Sequence, residues 1–299
     1  MINNATTINE LITVRDWIRY AVSQFEASDI FYGHGTDNAY DEAVWLIMSA
    51  VHLPMDTLNN FLDARLTTAE RVKLTDLIEQ RITQHTPTAY LVKEAWLQGL
   101  KFYVDERVLI PRSFIAELLA QELSPWIEFP EMVESAADIC TGSGCLGVLL
   151  ASTFPNAAID VIDISQDAID VANINIANYG LENQITAIQS DMFTALKGKT
   201  YDLIISNPPY VDAPSMAALP AEYQSEPQLA LGSGVAGLDH THTILREAGK
   251  HLNDDGILIV EIGHNREALE AAYPNIVFNW LEVSSGNAFV FLLTKSQLL

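Results

Sequence analysis

Four residues that follow an apolar stretch have side chains suited to gripping a planar amino group. Residues 201–210 read YDLIISNPPY, so the stretch runs directly into Asn207-Pro208-Pro209-Tyr210, called the tetrad below. Asn207 carries an acceptor oxygen. The two prolines fix φ and leave stiffly held carbonyls free to accept. Two acceptors take the two N–H protons while the Tyr210 ring lies on the face of the group. Asn-Pro is also common turn chemistry, so the tetrad alone does not establish a site.

A second chemical pattern, called the glycine turn below, lies at the end of the first predicted strand. It reads Asp138-Ile139-Cys140-Thr141-Gly142-Ser143-Gly144 and is followed by Gly147. Glycines at a strand-to-helix turn let the backbone approach a ligand and place N–H groups around it. The spacing matches the dinucleotide fingerprint, and both NAD and S-adenosylmethionine (SAM) fit it. We predict cofactor contacts from Asp138, Thr141, Gly142, Ser143 and Gly144, although Asp138 could instead brace the turn.

The next two strand ends also carry polar chemistry. The second strand ends at Asp163, followed by Ile164, and a carboxylate there can accept both hydroxyls of a ribose. The third ends in Asp191-Met192-Phe193, an acid and an aromatic ring where an adenine could lie. The fourth ends in the tetrad, which a hydride-transfer enzyme does not need. Because ligands bind outside the carboxyl ends of such sheets, we predict a SAM site.

Alternating strand and helix patterns after residue 136 predict an α/β fold with a mostly parallel, Rossmann-like sheet. A short hairpin turn at Ser284-Ser285-Gly286 makes the last strand antiparallel. The predicted strands are 136–140, 158–163, 185–190, 201–206, 256–262, 276–283 and 287–294, and the predicted helices are 145–153, 166–179 and 240–252.

Apolar residues spaced by three and four predict helices across 8–84, one of them starting at a capping box, Thr67–Glu70. Residues 96–111 alternate and predict a β-hairpin, after which Ser113 would cap a helix over 115–123. We therefore expect three regions: a helical substrate-recognition domain (1–94), a hairpin and linker helix (95–130), and a SAM-binding methyltransferase domain (131–299).

The composition predicts a globular protein, with 49% hydrophobic and 18% charged residues. No apolar run approaches the roughly 20 residues of a membrane span. The first residues lack the pattern of a signal peptide, which makes the cytoplasm the expected location. Cys140 and Cys145 lie at one turn and are interpreted as reduced packing residues, and no metal site is expected.

The net charge of −23 disfavours free nucleic acid as a partner and favours a basic protein. Residues 211–239, called the acidic loop below, contain Asp212, Glu222, Glu226 and Asp239 but no Lys or Arg. We expect these acids to steer a basic substrate to the tetrad, with a rate that falls as salt rises.

The chain resembles class I SAM-dependent methyltransferases of the HemK/Prm group, which methylate the amide nitrogen of a protein glutamine. The resemblance covers nearly the whole chain and is carried by the glycine turn, Asp163, Asp191, the tetrad, 102–112 and Glu261-Ile262-Gly263. Residues 32–38 (YGHGTDN) and Pro111-Arg112-Ser113 are similar to the branch that acts on a large-subunit ribosomal protein of the L-three type. The release-factor branch usually continues Pro-Arg with Pro-Asp-Thr-Glu, which this chain lacks.

The resemblance implies that the Asn207 oxygen and the Pro208 carbonyl accept from the target amide, while Tyr210 stacks on it and Pro209 completes the substrate site. Three rival functions remain. An adenine-N6 DNA methyltransferase would use the same tetrad but should bring a basic surface. An NAD-dependent dehydrogenase fits the glycine pattern alone. A non-catalytic subunit of the same fold is disfavoured by the intact tetrad.

Overall fold

The computed structural model describes residues 4–298, and the chain divides into two units. The first unit comprises the residues up to Ala95 together with Pro220–Ser225, a short segment of the acidic loop. The second comprises Trp96–Leu219 and the chain from Glu226 onward. The acidic loop thus contributes residues to both units.

The first unit is helical, as the spacing over 8–84 predicts. Its helices are α1 (Asn4–Glu10), α2 (Val14–Glu26), α3 (Ala39–Ala50), α4 (Leu58–Phe61), α5 (Thr68–Thr83) and α6 (Thr88–Val92), with 3-10 turns at Met55–Thr57 and Ala221–Ser225. The capping box at Thr67 and Glu70 is confirmed. Trp17, Phe25 and Leu74 form part of its core.

A buried arginine organises the polar interior of this unit. The Arg81 guanidinium donates to Glu42, to Glu222 (2.9 Å) and to the Phe31 carbonyl (2.8 Å). Only 1% of the Arg81 side chain is exposed, against 5% for Glu42 and 2% for Glu222. The Glu222 carboxylate also accepts the Phe31 N–H and lies 3.2 Å from His85 Nδ1. Glu222 is therefore neutralised inside the unit.

Glu226, the next acid of the acidic loop, is buried in the second unit. It makes two hydrogen bonds with the Arg112 guanidinium, at 2.6 and 2.7 Å, and accepts the Ile110 N–H. Asp212 caps a helix through the Ser215 N–H. The expectation that Glu222 and Glu226 steer a basic substrate is wrong, because both charges are paired with arginines and withdrawn from solvent.

The second unit contains the expected Rossmann-like sheet. The chain enters it through β1 (Ala95–Leu97), which pairs with β2 (Leu100–Phe102). The large sheet has the order β5-β4-β3-β6-β7-β9-β8. Its strands are β3 (Ser135–Ile139), β4 (Ala158–Asp163), β5 (Ile185–Gln189), β6 (Tyr201–Ser206), β7 (Leu252–Glu261), β8 (Asn279–Val283) and β9 (Gly286–Thr294). Strands β3 to β7 run parallel and β9 is antiparallel to both its neighbours, as predicted.

The helices of this unit are α7 (Ile115–Leu119), α8 (Cys145–Thr153), α9 (Gln166–Asn178), α10 (Ala213–Ala218), α11 (Asp239–Glu247) and α12 (Arg266–Ala272), with 3-10 turns at Pro130–Met132, Gln228–Ala230, Ala248–Lys250 and Lys295–Gln297. Apart from α10, which has no buried residue, each contributes to the apolar core on one face of the sheet. Successive strand residues alternate between two apolar cores: Leu203 and Ile205 pack in one, and Ile204 packs in the other. The sheet is thus buried on both sides, which explains its nearly continuous apolar strands.

Several elements differ from the sequence-based expectation: α10 and α12 were not predicted, and β7 begins at Leu252 rather than residue 256. The hairpin is confined to β1 and β2, and 103–111 form no strand because their polar groups are used locally, as when Asp105 accepts from Tyr103 and Arg107. Helix α7 ends at Leu119 rather than residue 123, since Glu122 and Leu123 have left-handed backbones. The Ser113 hydroxyl accepts the Ile115 N–H but donates to Glu261, so capping is only part of its role.

The structure also bears on membranes, metals and the two cysteines. No helix within residues 4–298 is long and apolar enough to cross a membrane. In that same range, no three His, Cys, Asp or Glu side chains are grouped to hold a metal ion. Cys140 and Cys145 are free thiols, and burial raises the pKa of each. Both agree with their interpretation as reduced packing residues.

Candidate active site

One pocket of the second unit opens at the carboxyl ends of the parallel strands. The turns after β3, β4, β5 and β6 all contribute to it, as expected for a sheet of this kind. Nine of the predicted site residues line it: Thr141, Gly142, Ser143, Asp163, Ile164, Asp191, Met192, Asn207 and Pro209. The pocket therefore brings residues of the glycine turn and of the next two strand ends together with two residues of the tetrad.

The glycine turn has the backbone that its sequence requires. Gly142 has φ +57°, and a Cβ built on it would meet no atom within 4 Å, so its open side faces the pocket. Gly144 has φ +78°, and its Cβ would lie 3.0 Å from that of Ala172 on α9. Gly144 is therefore needed where α8 begins close to α9. Cys140 also has a left-handed backbone, φ +62°. A non-glycine residue with this backbone costs roughly 1–2 kcal/mol.

Asp138 lies beneath the turn and is fully buried. Its Oδ2 accepts the Thr141 hydroxyl, and its Oδ1 has no hydrogen-bond partner among the described residues. Burial raises the Asp138 pKa to about 7, and the bond from Thr141 opposes that rise. Asp138 does not line the pocket. This geometry matches the bracing role considered from the sequence, and a direct cofactor contact stays a prediction.

Asp163 joins the first two turns. Its Oδ2 accepts the Gly142 N–H and its Oδ1 accepts the Ser165 N–H, both at 2.9 Å. Burial raises the Asp163 pKa, and these N–H donors oppose the rise. Each carboxylate oxygen retains a lone pair for a further donor. A ribose with two adjacent hydroxyls fits such a group, and the exposed apolar Ile164 beside it extends the wall.

The three predicted residues after β5 do not all line the pocket. Asp191 is exposed and lines the pocket, and Met192 lines it from a left-handed backbone, φ +44°. Phe193 instead packs in the core, stacked on His251 with ring centroids 5.0 Å apart. Its contact with an adenine stays a prediction, while Met192 supplies an apolar wall that the sequence pattern also named.

The tetrad follows β6 directly. Asn207 is half-buried and lines the pocket, and within residues 4–298 no hydrogen bond from another protein group reaches its side chain. Pro209 lines the pocket and Pro208 is buried behind it. Tyr210 is half-buried and lies outside the pocket lining, and it contacts Glu261 at the end of β7 and Asn265 beyond it. Asn207 thus presents an acceptor and a donor to a ligand.

Sequence reasoning missed part of the pocket wall. Further lining residues come from the chain before α7, from the acidic loop and from α11: Arg107, Val108, Leu109, Pro111, Arg112, Ser113, Pro227, Leu229, Ala230 and His240. Asp105 neutralises Arg107, and its pKa falls to about 2 because Arg107 donates to it. Arg112 forms an ion pair with Glu226 across 114 residues of sequence. Nothing in the sequence distinguishes Glu226 from the other three acids of the acidic loop as its partner.

Comparisons with known proteins agree with this geometry. Residues 116–219 match the family model described as the methyltransferase small domain. The ribosomal protein uL3 glutamine methyltransferase of Neisseria gonorrhoeae is 56% identical over 299 residues, covering 100% of this chain and 99% of the relative. The enzyme with the same name from Bordetella pertussis is 50% identical, covering 97% of each chain.

A solved structure supports the fold. The hMettl16 catalytic domain, crystallised with the MAT2A 3′UTR hairpin 6, has a TM-score of 0.50 over 75% of this chain and 80% of that one. At 15% identity this likeness concerns the fold alone. Full-length identity of half or more, together with a glycine turn and a tetrad at one pocket, shows that the chain belongs to the ribosomal protein uL3 glutamine methyltransferase family.

Proposed function

We propose that this enzyme transfers a methyl group from SAM to the side-chain amide nitrogen, N5, of a glutamine in ribosomal protein uL3. The observation that carries the proposal is the position of Asn207 in the same pocket as Gly142 and Asp163. The names of the relatives from Neisseria gonorrhoeae and Bordetella pertussis supply the substrate.

The methyl donor is SAM, which when bound supplies an electrophilic methyl group on its sulfonium. Gly142 and Ser143 would border the donor, Asp163 would accept from its ribose, and Ile164 and Met192 would contact its adenine. The open face of Gly142 and the remaining lone pairs of Asp163 suit such a ligand. Thr141 and Asp191 complete the polar border of this part of the pocket.

The tetrad would raise the low reactivity of the target amide nitrogen. An amide nitrogen is a poor nucleophile, because its lone pair is delocalised into the carbonyl. The Asn207 oxygen and the Pro208 carbonyl would accept hydrogen bonds from its two N–H groups, which returns electron density to the nitrogen and fixes its direction. When the nitrogen takes the methyl group, the donor would leave as a neutral thioether and the nitrogen would release one proton to solvent. Orientation of this kind supplies several kcal/mol. The Tyr210 ring would cover the face of the amide.

We expect Asp163→Ala to weaken SAM binding by about 1–3 kcal/mol, the range for hydrogen bonds to a charged group. Isothermal calorimetry measures this without turnover. Asp167→Ala is the matched control, since Asp167 is an exposed acid in the first turn of α9 outside the pocket lining. Equal affinities of the two variants would remove Asp163 from the ribose site.

The substrate test is mass spectrometry of purified uL3 after incubation with enzyme and SAM. We expect one glutamine to gain the mass of a single methyl group. A release factor and duplex DNA, incubated in parallel at low salt, test the two alternative activities, methylation of a release-factor glutamine and of adenine N6. Methylation of the release factor in preference to uL3 would reassign the substrate. The net charge of −23 supports a basic protein over free nucleic acid, and we place the reaction in the cytoplasm, where ribosomal proteins are made.

A further inference from the structure

Tyr210 is held by the last residue of β7, Glu261, and by residues that follow this strand. Strands β6 and β7 are parallel neighbours, with Ser206 beside Val260, so the tetrad and this segment emerge side by side. Glu261 Oε1 lies 3.4 Å from the Tyr210 hydroxyl, which donates to it. Gly263 lies against the Tyr210 ring. The Asn265 side chain donates to the Tyr210 backbone carbonyl.

At Gly263 the Tyr210 ring leaves no room for a side chain. A Cβ built on Gly263 would lie 2.7 Å from two atoms of the Tyr210 ring, nearer than real contacts allow. Gly263 also has φ +55°, a backbone that favours glycine. The Asn265 Nδ2 donates to the Tyr210 carbonyl at 2.7 Å. Ring, hydroxyl and backbone of Tyr210 are thus each restrained by a different residue.

Glu261 is itself fixed from the other side. Its Oε2 accepts the Ser113 hydroxyl at 2.7 Å and the Phe114 N–H at 2.8 Å. Only 1% of Glu261 is exposed. Burial raises its pKa to about 7, and the bonds from Ser113 and Phe114 oppose that rise. A carboxyl group at a buried strand end is costly unless its oxygens have donors. Here one oxygen is committed to Ser113 and the other faces Tyr210.

We infer that Glu261 is a positioning residue for the methyl transfer: together with Gly263 it sets the direction of the Tyr210 ring against the target amide. This inference rests on the proposed function, in which Tyr210 covers that amide. It gives Ser113 a role as well, since the Ser113 hydroxyl orients the carboxyl group. At 3.4 Å the bond to Tyr210 is long, so Glu261 directs the hydroxyl while Gly263 limits the ring.

The test is a cycle of Glu261→Gln, Tyr210→Phe and the double variant, measured on uL3. We expect each single change to lower kcat about tenfold and the double variant to fall little further, because both remove the same contact. SAM affinity should not change. Glu117→Gln is the matched control: Glu117 accepts from the Ser284 N–H and hydroxyl and lies outside the pocket lining. It should leave kcat unaltered.

Gly263→Ala tests the ring contact separately. The added methyl group must displace the Tyr210 ring, and we expect kcat to fall by about 10- to 100-fold, the scale for a small misplacement near the chemistry. A thermal melt establishes that the variant folds. If it does not fold, the Glu261 cycle alone decides.

A readout without turnover separates this inference from the proposed function. Fluorotyrosine at position 210 gives a fluorine resonance that should move in Glu261→Gln and stay in Glu117→Gln. If wild type does not methylate uL3, the proposed function fails, and the inference fails with it as a statement about that reaction even when the resonance moves. Active wild type with strictly additive losses, or a resonance unaffected by Glu261→Gln, would overturn the inference alone.

Discussion

Asn207→Ala is expected to lower turnover on uL3 by about 10²- to 10³-fold, the scale for losing one preorganised polar contact in a site that excludes water. The alanine removes the acceptor that the pocket presents beside Pro209. SAM affinity should change far less, because Gly142 and Asp163 remain. Single-turnover methylation and calorimetry, measured on the same preparation, separate the two effects.

Asn156→Ala is the matched control for this change. Its side chain donates only to the exposed carbonyl of Glu131, and it does not line the pocket. Turnover in that variant should equal wild type. An Asn207→Ala enzyme with nearly normal turnover would instead make the tetrad a structural turn, the interpretation that Asn-Pro chemistry alone allowed.

The strand ends were predictable because their chemistry is local. In a parallel sheet the carboxyl ends of neighbouring strands meet at one edge, so residues after each strand gather without knowledge of helix packing. Gly142, Asp163 and Asn207, which are distant in the chain, line one pocket for that reason. Phe193 does not line this pocket and packs in the core. It follows one left-handed residue, Met192, that sequence periodicity does not reveal.

The acidic loop was not predictable, because charge counting ignores partners. The sequence around Glu222 and Glu226 predicts a solvent-exposed acidic surface. In the structure, each of the two carboxylates forms an ion pair with an arginine more than 100 residues away in the chain. The role of Glu261 was hidden in a similar way. Its sequence context marks a strand end, while its contacts with Ser113 and Tyr210 depend on tertiary structure.

Arg81→Met is expected to destabilise the helical unit by about 3–5 kcal/mol, the cost of leaving a buried charge without its partner. Methionine keeps much of the volume of the side chain but removes every donor. Glu42 and Glu222 would then face each other's charge in the interior, with Thr36 and Thr88 still donating to Glu42. Urea denaturation measures the loss in the free energy of unfolding.

Two further variants separate charge from packing. Arg15→Met removes an ion pair with Asp63 whose side chains are 58% and 83% exposed, and its unfolding free energy should stay close to wild type. Adding Glu42→Gln and Glu222→Gln to Arg81→Met should recover part of the loss, because no buried charge then remains. Failure to recover any of it would assign the cost to packing.

The pH dependence of this loss follows from the sign of the Glu222 shift. Burial raises the Glu222 pKa, but the Arg81 bond and the Phe31 N–H outweigh it, so the folded pKa lies below the ordinary value of 4.5. In wild type the stabilisation is therefore complete above pH 4.5 and is lost as the pH falls through the lowered pKa.

Without Arg81, burial has less opposition and the Glu222 pKa rises. Stability of Arg81→Met is then lost as the pH rises through that value. The difference between the two proteins should be largest near neutral pH and should shrink on acidification, and urea denaturation at several pH values measures it. A deficit that stays constant from neutral pH to below pH 4.5 would mean that Arg81 contributes through packing and its bond to the Phe31 carbonyl, and that the buried carboxylates are not the source of the loss.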